Sequence, residues 1–316
     1  MPEEIVKGGL LLVHAHPDDE SIATGGTIAL YRRRGVPVTV VTCTLGEEGE
    51  VIGDQWSQLV SGSADQLGGY RIGELGTALA ALGAGPPLFL GGAGRWRDSG
   101  MAGSMSDPRE SETAGHPRAF VKSGSAAVEQ LVEVIVRLQP QVVIGYDPNG
   151  GYGHPDHIHA HRITMMAVEE AVRAGWDVPK LYWTVTNLEV LQQQTRELRR
   201  LAIAQPGRAL PPHSRLPTSG EMTGADANLV TATINVASVL DAKRAALCAH
   251  ATQIRVSPLG SAVSLSNNIA QPLLSEEHYV LVRGRSGPVG DDGREDDLFA
   301  GMQECQALRS LPATRL

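Results

Sequence analysis

Residues 10–42 read strand, helix, strand within little more than thirty positions, and no other pattern in the chain restricts the fold as strongly. Leu10–Val13 is a continuous apolar run. Thr27–Arg34 carries Ile28, Leu30 and Tyr31 at helical spacing and stops at Gly35, and Val36–Thr42 is rich in β-branched residues. Two strands joined through a helix must lie parallel with a right-handed crossover, and a parallel sheet needs helices on both faces.

The alternation continues. Ala64–Leu82 reads as a helix whose interruptions are hard to place, given Gly68, Gly69, Gly73 and Gly76. Pro86–Leu90 reads as a brief strand. Val128–Leu138 sets Leu131, Val132, Ile135 and Leu138 along a helix halted by Pro140, Val142–Tyr146 is a strand, His159–Arg173 a helix and Leu181–Thr186 a further strand. The expected fold class is α/β: a Rossmann-like, mostly parallel sheet with helices on both faces and a smaller C-terminal α+β region. Residues 1–186 form the catalytic core with the metal site, and 187–284 a smaller region completing the pocket. That region is entered through Pro/Gly-rich Gln205–Asn228 and contains a helix at Val236–Ala249 and a strand at Tyr279–Val282. Residues 285–316 read as a disordered acidic tail. Gly91–Phe120, glycine-rich and aperiodic, reads as a lid or binding loop, or else as disordered.

With 316 residues and 42% of them hydrophobic, the chain has ample material for a core. A formal charge of -8 argues against a nucleic-acid binder that works by neutralising phosphates. The densest basic run, Arg32–Arg34, reads as the solvated end of a helix. Cys43, Cys248 and Cys305 are far apart, which excludes a disulfide scaffold and leaves them as buried small hydrophobes or free thiols. Two acidic residues precede the short Leu10–Val13 run, which is no signal peptide, and nothing approaches eighteen consecutive apolar residues. The expectation is a soluble cytoplasmic protein without membrane partners. Composition carries no information on oligomeric state.

The chemistry is concentrated in two loops, each leaving a strand and entering a helix, where open α/β sheets bind their ligands. The first is His14-Ala-His16-Pro-Asp18-Asp19-Glu20. Carboxylates crowded at the edge of a core repel one another and lose hydration, and a divalent cation reverses both penalties. His16 and Asp19, three apart in a turn, can converge on one point, while Asp18 stays within reach of whatever is bound there. The plainer reading makes Asp18 or Asp19 the cap of the following helix. The second loop, Tyr146–His161, holds Tyr152 and four histidines: His154, His157, His159 and His161. A catalytic zinc site typically has three protein ligands and one open position. Spacing alone does not choose among the four, and the glutamate of an HExxH metalloprotease is missing. A non-hydrolytic nucleotide-binding domain is disfavoured, because the first loop lacks the G-x-G-x-x-G fingerprint.

The pair His16-Pro-Asp18-Asp19-Glu and His154-Pro-Asp-His157 resembles the zinc-dependent N-acetylglucosaminyl deacetylases related to the enzyme of glycosylphosphatidylinositol synthesis. Val41–Glu50, Gly69–Leu75, Gly91–Met101 and Ser266–Asn268 are similar to the actinobacterial branch of that family. That branch removes acetate from an N-acetylglucosaminyl-inositol in mycothiol biosynthesis. The resemblance implies one zinc ion per chain, with Fe(II) an alternative, held by His16, Asp19 and His157. It implies Asp18 as general base, a protonated His154 stabilising the oxyanion, and Tyr152 reaching over the metal. It further implies Glu50, Arg71 and Asp98 as contacts to the hydroxyls of an amino-sugar inositol substrate. The alternatives are the sister amidase acting on mycothiol S-conjugates, or another N-acetyl amino-sugar deacetylase. Without the resemblance, Arg71 reads as an i,i+3 partner of Glu74 on a helix surface and Asp98 as a loop residue in solvent.

Overall fold

The computed structural model describes residues 7–104 and 107–302. Its centre is a seven-stranded sheet built from β1 (Leu10–His14), β2 (Val38–Thr42), β3 (Leu88–Phe89), β6 (Val142–Tyr146), β7 (Lys180–Val185), β8 (Ala232–Asn235) and β12 (Glu276–Arg283). The remaining strands are a hairpin, β4 (Met101–Ser104) with β5 (Asp107–Glu110), and a small sheet of β9 (Arg255–Val256), β10 (Ala262–Ser264) and β11 (Gln271–Pro272). Strand order in the main sheet is β3-β2-β1-β6-β7-β12-β8. The first five are parallel, and β12 runs antiparallel to both β7 and β8. From β1 the chain steps outward to β2 and β3, then returns to place β6 on the other side of β1. Neighbouring loops therefore diverge between β1 and β6, opening the crevice where such sheets bind ligands.

Alternation along β1 sorts the two cores. Leu10 and Leu12 face α2 (Gly25–Arg33), α3 (Leu67–Ala81) and α8 (Leu240–Ala249), meeting Ile28, Tyr31, Leu75, Leu79 and Ala246. Leu11 and Val13 face α4 (Gly124–Leu138) and α6 (Pro155–Arg173), meeting Leu131, Ile135, Ile163 and Ala167. Two buried faces explain why Leu10–Val13 of β1 and Val142–Ile144 of β6 are continuous apolar runs instead of alternating. The glycines of 68–76 do not break α3, which is continuous.

Several expectations change. α6 begins at Pro155, four residues earlier than its apolar period, because Pro155 occupies the first helical turn and His154 caps it. The pattern over 236–249 resolves into a short 3-10 turn, Ala237–Val239, followed by α8. The sequence reading placed no helix at α7 (Leu188–Ala204), although Asn187 caps it through bonds from the Glu189 and Val190 amides and buries Leu191 and Leu198 on one face. β8 and β12 extend the same sheet as β1, so no sheet boundary falls at residue 186. Residues 285–302 are not a disordered tail. Glu295 and Leu298 are fully buried, Lys180 Nζ meets Glu295 Oε1 at 2.6 Å, and the Tyr182 hydroxyl donates to Glu295 Oε2 at 2.6 Å. The remainder of that tail, 303–316, lies outside the described residues. The loop expected over 91–120 contains the β4–β5 hairpin, pairing Met101 with Glu110.

Candidate metal centre and active site

His16 lies two residues beyond the carboxyl end of β1. Asp19 opens α1 (Asp19–Ala23), and His157 sits in the first turn of α6, which β6 feeds through α5 (Gly150–Gly153). Three atoms converge: His16 Nδ1 and His157 Nε2 are 3.3 Å apart, His157 Nε2 and Asp19 Oδ2 3.3 Å, and His16 Nδ1 and Asp19 Oδ2 3.5 Å. Ligand atoms held about 2.05 Å from a tetrahedral ion stand roughly 3.3–3.4 Å apart, so this triangle has the dimensions of three corners of a zinc-type site.

Protonation points the same way. His157 Nδ1 faces the Gly150 carbonyl at 3.1 Å, and His16 Nε2 faces Asp156 Oδ2 at 3.3 Å and Asp98 Oδ1 at 3.5 Å. A cation at the shared point would take the lone pairs of His16 Nδ1 and His157 Nε2, with the oxygens on the far side of each ring accepting its N–H. His16, His154 and His157 also form a set whose nitrogens come within 4.8 Å of one another, as do His16, Asp98 and Asp156 with their donor atoms. His154, however, spends Nδ1 on the Asp156 amide, which donates to it at 3.1 Å. The Asp98–Asp156 set uses the opposite nitrogen of His16 and orients the ring.

Local structure explains these positions. Gly150 has φ +62, and a Cβ on it would lie 2.5 Å from His157 Cβ, so only glycine lets the β6 loop pass this closely. Tyr146, the last residue of β6, donates its hydroxyl to Asp19 Oδ2 at 2.7 Å and accepts the Ala15 amide at 3.0 Å, tying the two loops together. The His16 amide also donates to Asp19 Oδ2, at 2.9 Å.

Charge follows from these contacts. Burial alone would raise Asp19, but His157 and His16 hold its carboxyl well below the usual range. Burial would lower His16, but Asp98, Asp156 and Asp19 hold it well above. Asp18 is pushed up to about 6 by burial, against the lowering pull of Arg71. His154 is driven down to about 2, by burial first and then by His16 and His157. The imidazolium expected at His154 is thus disfavoured here. Its neutral ring, with Nδ1 accepting from Asp156, carries a proton on Nε2 that it can donate. Burial holds the Tyr152 phenol far above its ordinary value, so it too is a neutral donor. Its ring stands 5.0 Å from that of His157 and 6.2 Å from that of His154.

The expected substrate contacts divide. Arg71 is buried and does not pair with Glu74. Its guanidinium reaches Asp18 Oδ2 at 3.1 Å, donates to the Gly46 carbonyl at 2.8 Å and also donates to the Pro17 carbonyl. Gly46 makes room for it: at φ +67, a Cβ there would fall 2.0 Å from an Arg71 nitrogen. Asp98 is buried, accepts the Gly100 amide at 2.8 Å and faces His16, so it is no solvent-facing loop residue. Glu50 is exposed, whereas Glu47 on the same loop is buried and accepts the Asp98 amide at 3.0 Å. His14 lies off the triangle, with Nε2 on Thr24 at 3.0 Å. His159 meets Ser123 and His161 meets the Tyr146 carbonyl, both away from the triangle's three atoms.

Sequence reasoning did not assign roles to Tyr146, Asp156, Glu20 or His250. Asp156 stands inside the His154–His157 motif and Tyr146 at a strand end, so their neighbourhood was a signal. His250 reaches Glu20 across 230 residues, and no local pattern announces it.

The sheet, its switch point and this donor set form a candidate metal site, and the family match gives the class of reaction: residues 11–168 match the family described as GlcNAc-PI de-N-acetylase, PIG-L, and the chain belongs to that family of N-deacetylases. Among curated relatives, a 1D-myo-inositol 2-acetamido-2-deoxy-alpha-D-glucopyranoside deacetylase of Nocardia farcinica is 68% identical over 296 residues, covering 93% of this chain and 97% of its own. A protein of the same description from Rhodococcus erythropolis is 54% identical, covering 93% and 97%. Among solved structures, the 4-carboxy-2-hydroxymuconate hydratase GalB of Pseudomonas putida KT2440 superposes with a TM-score of 0.51 at 18% identity, covering 90% of this chain and all of its own, a likeness of fold alone. Among the described residues, no helix is long and apolar enough to cross a membrane.

Proposed function

We propose that the enzyme hydrolyses the N-acetyl amide of 1D-myo-inositol 2-acetamido-2-deoxy-α-D-glucopyranoside, the compound named for its relatives, releasing acetate and the free amine in the cytoplasm. The observation that carries the chemistry is the triangle of donor atoms from His16, Asp19 and His157, with the Asp18 carboxyl next in the chain to one of them. The donor set of two imidazoles and one carboxylate favours zinc, and Fe(II) also suits it. His16, Asp19 and His157 would hold such an ion, which would supply polarisation of the amide carbonyl and a lowered pKa for water.

Asp18 accepts the proton of the attacking water as the new C–O bond forms. The same carboxyl then returns that proton to the amide nitrogen as the C–N bond breaks, because an amine cannot leave as an anion. Neutral His154 donates from Nε2 to the carbonyl oxygen as negative charge grows there, and Tyr152 is a second donor. One well-placed donor of this kind contributes about 3–4 kcal/mol. Asp98 and Asp156 orient His16, and Arg71 holds Asp18. The deciding experiment offers the metal-loaded enzyme the inositol pseudodisaccharide and, separately, a bimane conjugate of mycothiol, following acetate and the cleaved conjugate by mass spectrometry. Acetate from the first and no cleavage of the second is expected. Preferential cleavage of the conjugate overturns the substrate assignment.

A further inference from the structure

Asp18 has φ +116 and ψ −32, a conformation side-chain-bearing residues rarely adopt, and one that persists only where surroundings enforce it. Its main-chain amide donates to Glu20 Oε2 at 2.9 Å. The other oxygen of that carboxylate, Oε1, takes His250 Nε2 at 2.8 Å and the Ser21 hydroxyl at 2.6 Å. Glu20 and His250 are both fully buried. His250 Nδ1 is buried without a hydrogen-bond partner among the described residues, so the ring commits its polar contact to Glu20.

The segment that carries His250 is itself anchored. It leaves the end of α8, where the Thr252 amide and hydroxyl donate to Glu74 at 2.8 and 2.7 Å. The Thr252 carbonyl accepts the Ile52 amide at 2.8 Å. A point contributed from far along the chain thus ends, through Glu20, on the main-chain amide of a strained residue. The neighbouring ligand Asp19 has its own supports, the Tyr146 hydroxyl and the His16 amide.

We propose that His250 is a positioning residue for the deacetylation: through Glu20 it locks the main chain of Asp18 and so aims the carboxyl that moves the proton. This rests on the assignment of Asp18 as base. Arg71 holds the same residue by its carboxylate, so Asp18 is gripped at both ends. The prediction is specific: loosening the His250 contact lowers turnover while leaving metal binding and substrate affinity in place.

The test compares His250→Gln with His250→Asn in the full-length, metal-loaded enzyme. Both are neutral amides, but only glutamine carries an N–H donor out to about the position of Nε2. His250→Asn should lose at least tenfold in kcat with KM within about twofold and a full metal complement, and His250→Gln should stay within about threefold of wild type. Equal kcat in the two overturns the proposal, as does loss of metal in parallel with activity, which would make the contact a support of the ligand set. Should His250→Asn fail to fold, Ser21→Ala removes the other donor to the same Glu20 oxygen. A several-fold lower kcat at unchanged KM and metal content is expected, and unchanged kcat overturns the proposal. Asp18→Asn, measured alongside, separates the two readings: high turnover in that variant removes the base assignment, whatever His250 does.

Discussion

Replacing Arg71 with alanine separates two roles that predict different patterns across substrates. A residue gripping the inositol would, when lost, penalise only substrates that carry inositol. The guanidinium instead lies buried against Asp18 Oδ2 at 3.1 Å, with its side chain only 3% exposed and that of Asp18 14%, so solvent screens the pair little. One hydrogen bond to a charged group contributes about 1.5–3 kcal/mol, which corresponds to roughly 10–150-fold in rate. That loss should fall on kcat and should be the same for the pseudodisaccharide and for N-acetylglucosamine. It has a pH signature as well. Arg71 lowers the pKa of Asp18 against burial, so its removal raises that value further, and the acid limb of the rate profile moves to higher pH. Acetate release would be followed on both substrates between pH 5 and pH 9, estimated to bracket the limb, with metal content and circular dichroism as controls. A penalty confined to the inositol-bearing substrate, with the acid limb unmoved, refutes the reasoning and returns Arg71 to recognition.

Removing the His157 ring deletes one corner of the triangle, so His157→Ala should bind less than stoichiometric metal by elemental analysis and lose activity together with it. Asp18→Asn should retain metal while kcat falls by about 10²–10⁴-fold, the usual scale for general acid–base catalysis, and loss of metal would make Asp18 a ligand. In the wild type, Asp18 must be deprotonated to act, so kcat/KM should decline as pH falls through about 6, or somewhat lower once a cation is bound beside it; a flat profile down to pH 5 contradicts this. Lys180→Met leaves the buried Glu295 carboxylate without its counter-charge, a defect that costs about 3–5 kcal/mol. The melting temperature should drop by roughly 6–20 °C with turnover at 25 °C preserved, since Lys180 opens β7 at the end of the sheet opposite the metal loops.

The parallel core was legible because burial on both faces of β1, β2 and β6 leaves apolar runs, and β1 with its crossover helix falls within thirty residues. The meeting of the two loops rich in histidine and carboxylate was legible for a related reason. Histidines and carboxylates concentrated directly after a strand have few physical explanations, and His16, Asp19 and His157 do converge. The plain readings of Arg71 and Asp98 as surface residues failed because a local pattern has no access to what another element brings. Gly46 leaves the space that Arg71 fills, and Asp98 is turned inward by the amides of Gly100 and Glu48. α7 escaped notice although Asn187 is a strong cap, since its buried stripe is narrow and interrupted by Thr195. The composition of 285–302 resembles disorder, yet Glu295 and Leu298 bury themselves against Lys180, Tyr182 and Tyr31, partners that only folding assembles.

A hydratase shares this fold, so the sheet does not choose the reaction. What the sheet supplies is adjacency: β1 and β6 lie side by side at the switch point, and loops 130 residues apart in sequence meet there. The choice of chemistry falls to the groups arranged around that meeting. Asp19 is tied down by Tyr146 and by the His16 main chain, and it has the low pKa of a ligand that must stay ionised. Asp18, one residue earlier, is pushed up to about 6 by burial against the lowering pull of Arg71 and, more weakly, His250, a value that suits a group taking and returning a proton near neutrality. Two consecutive aspartates are thus shifted in opposite directions by their surroundings, as the proposed division into ligand and base requires. Arg71 of α3 and, through Glu20, His250 at the end of α8 secure that difference from outside the two metal loops. On the proposed mechanism the C-terminal region would belong to the catalytic unit: detaching α8 would leave the β1 and β6 donors in place but remove the His250 contact that reaches Asp18 through Glu20.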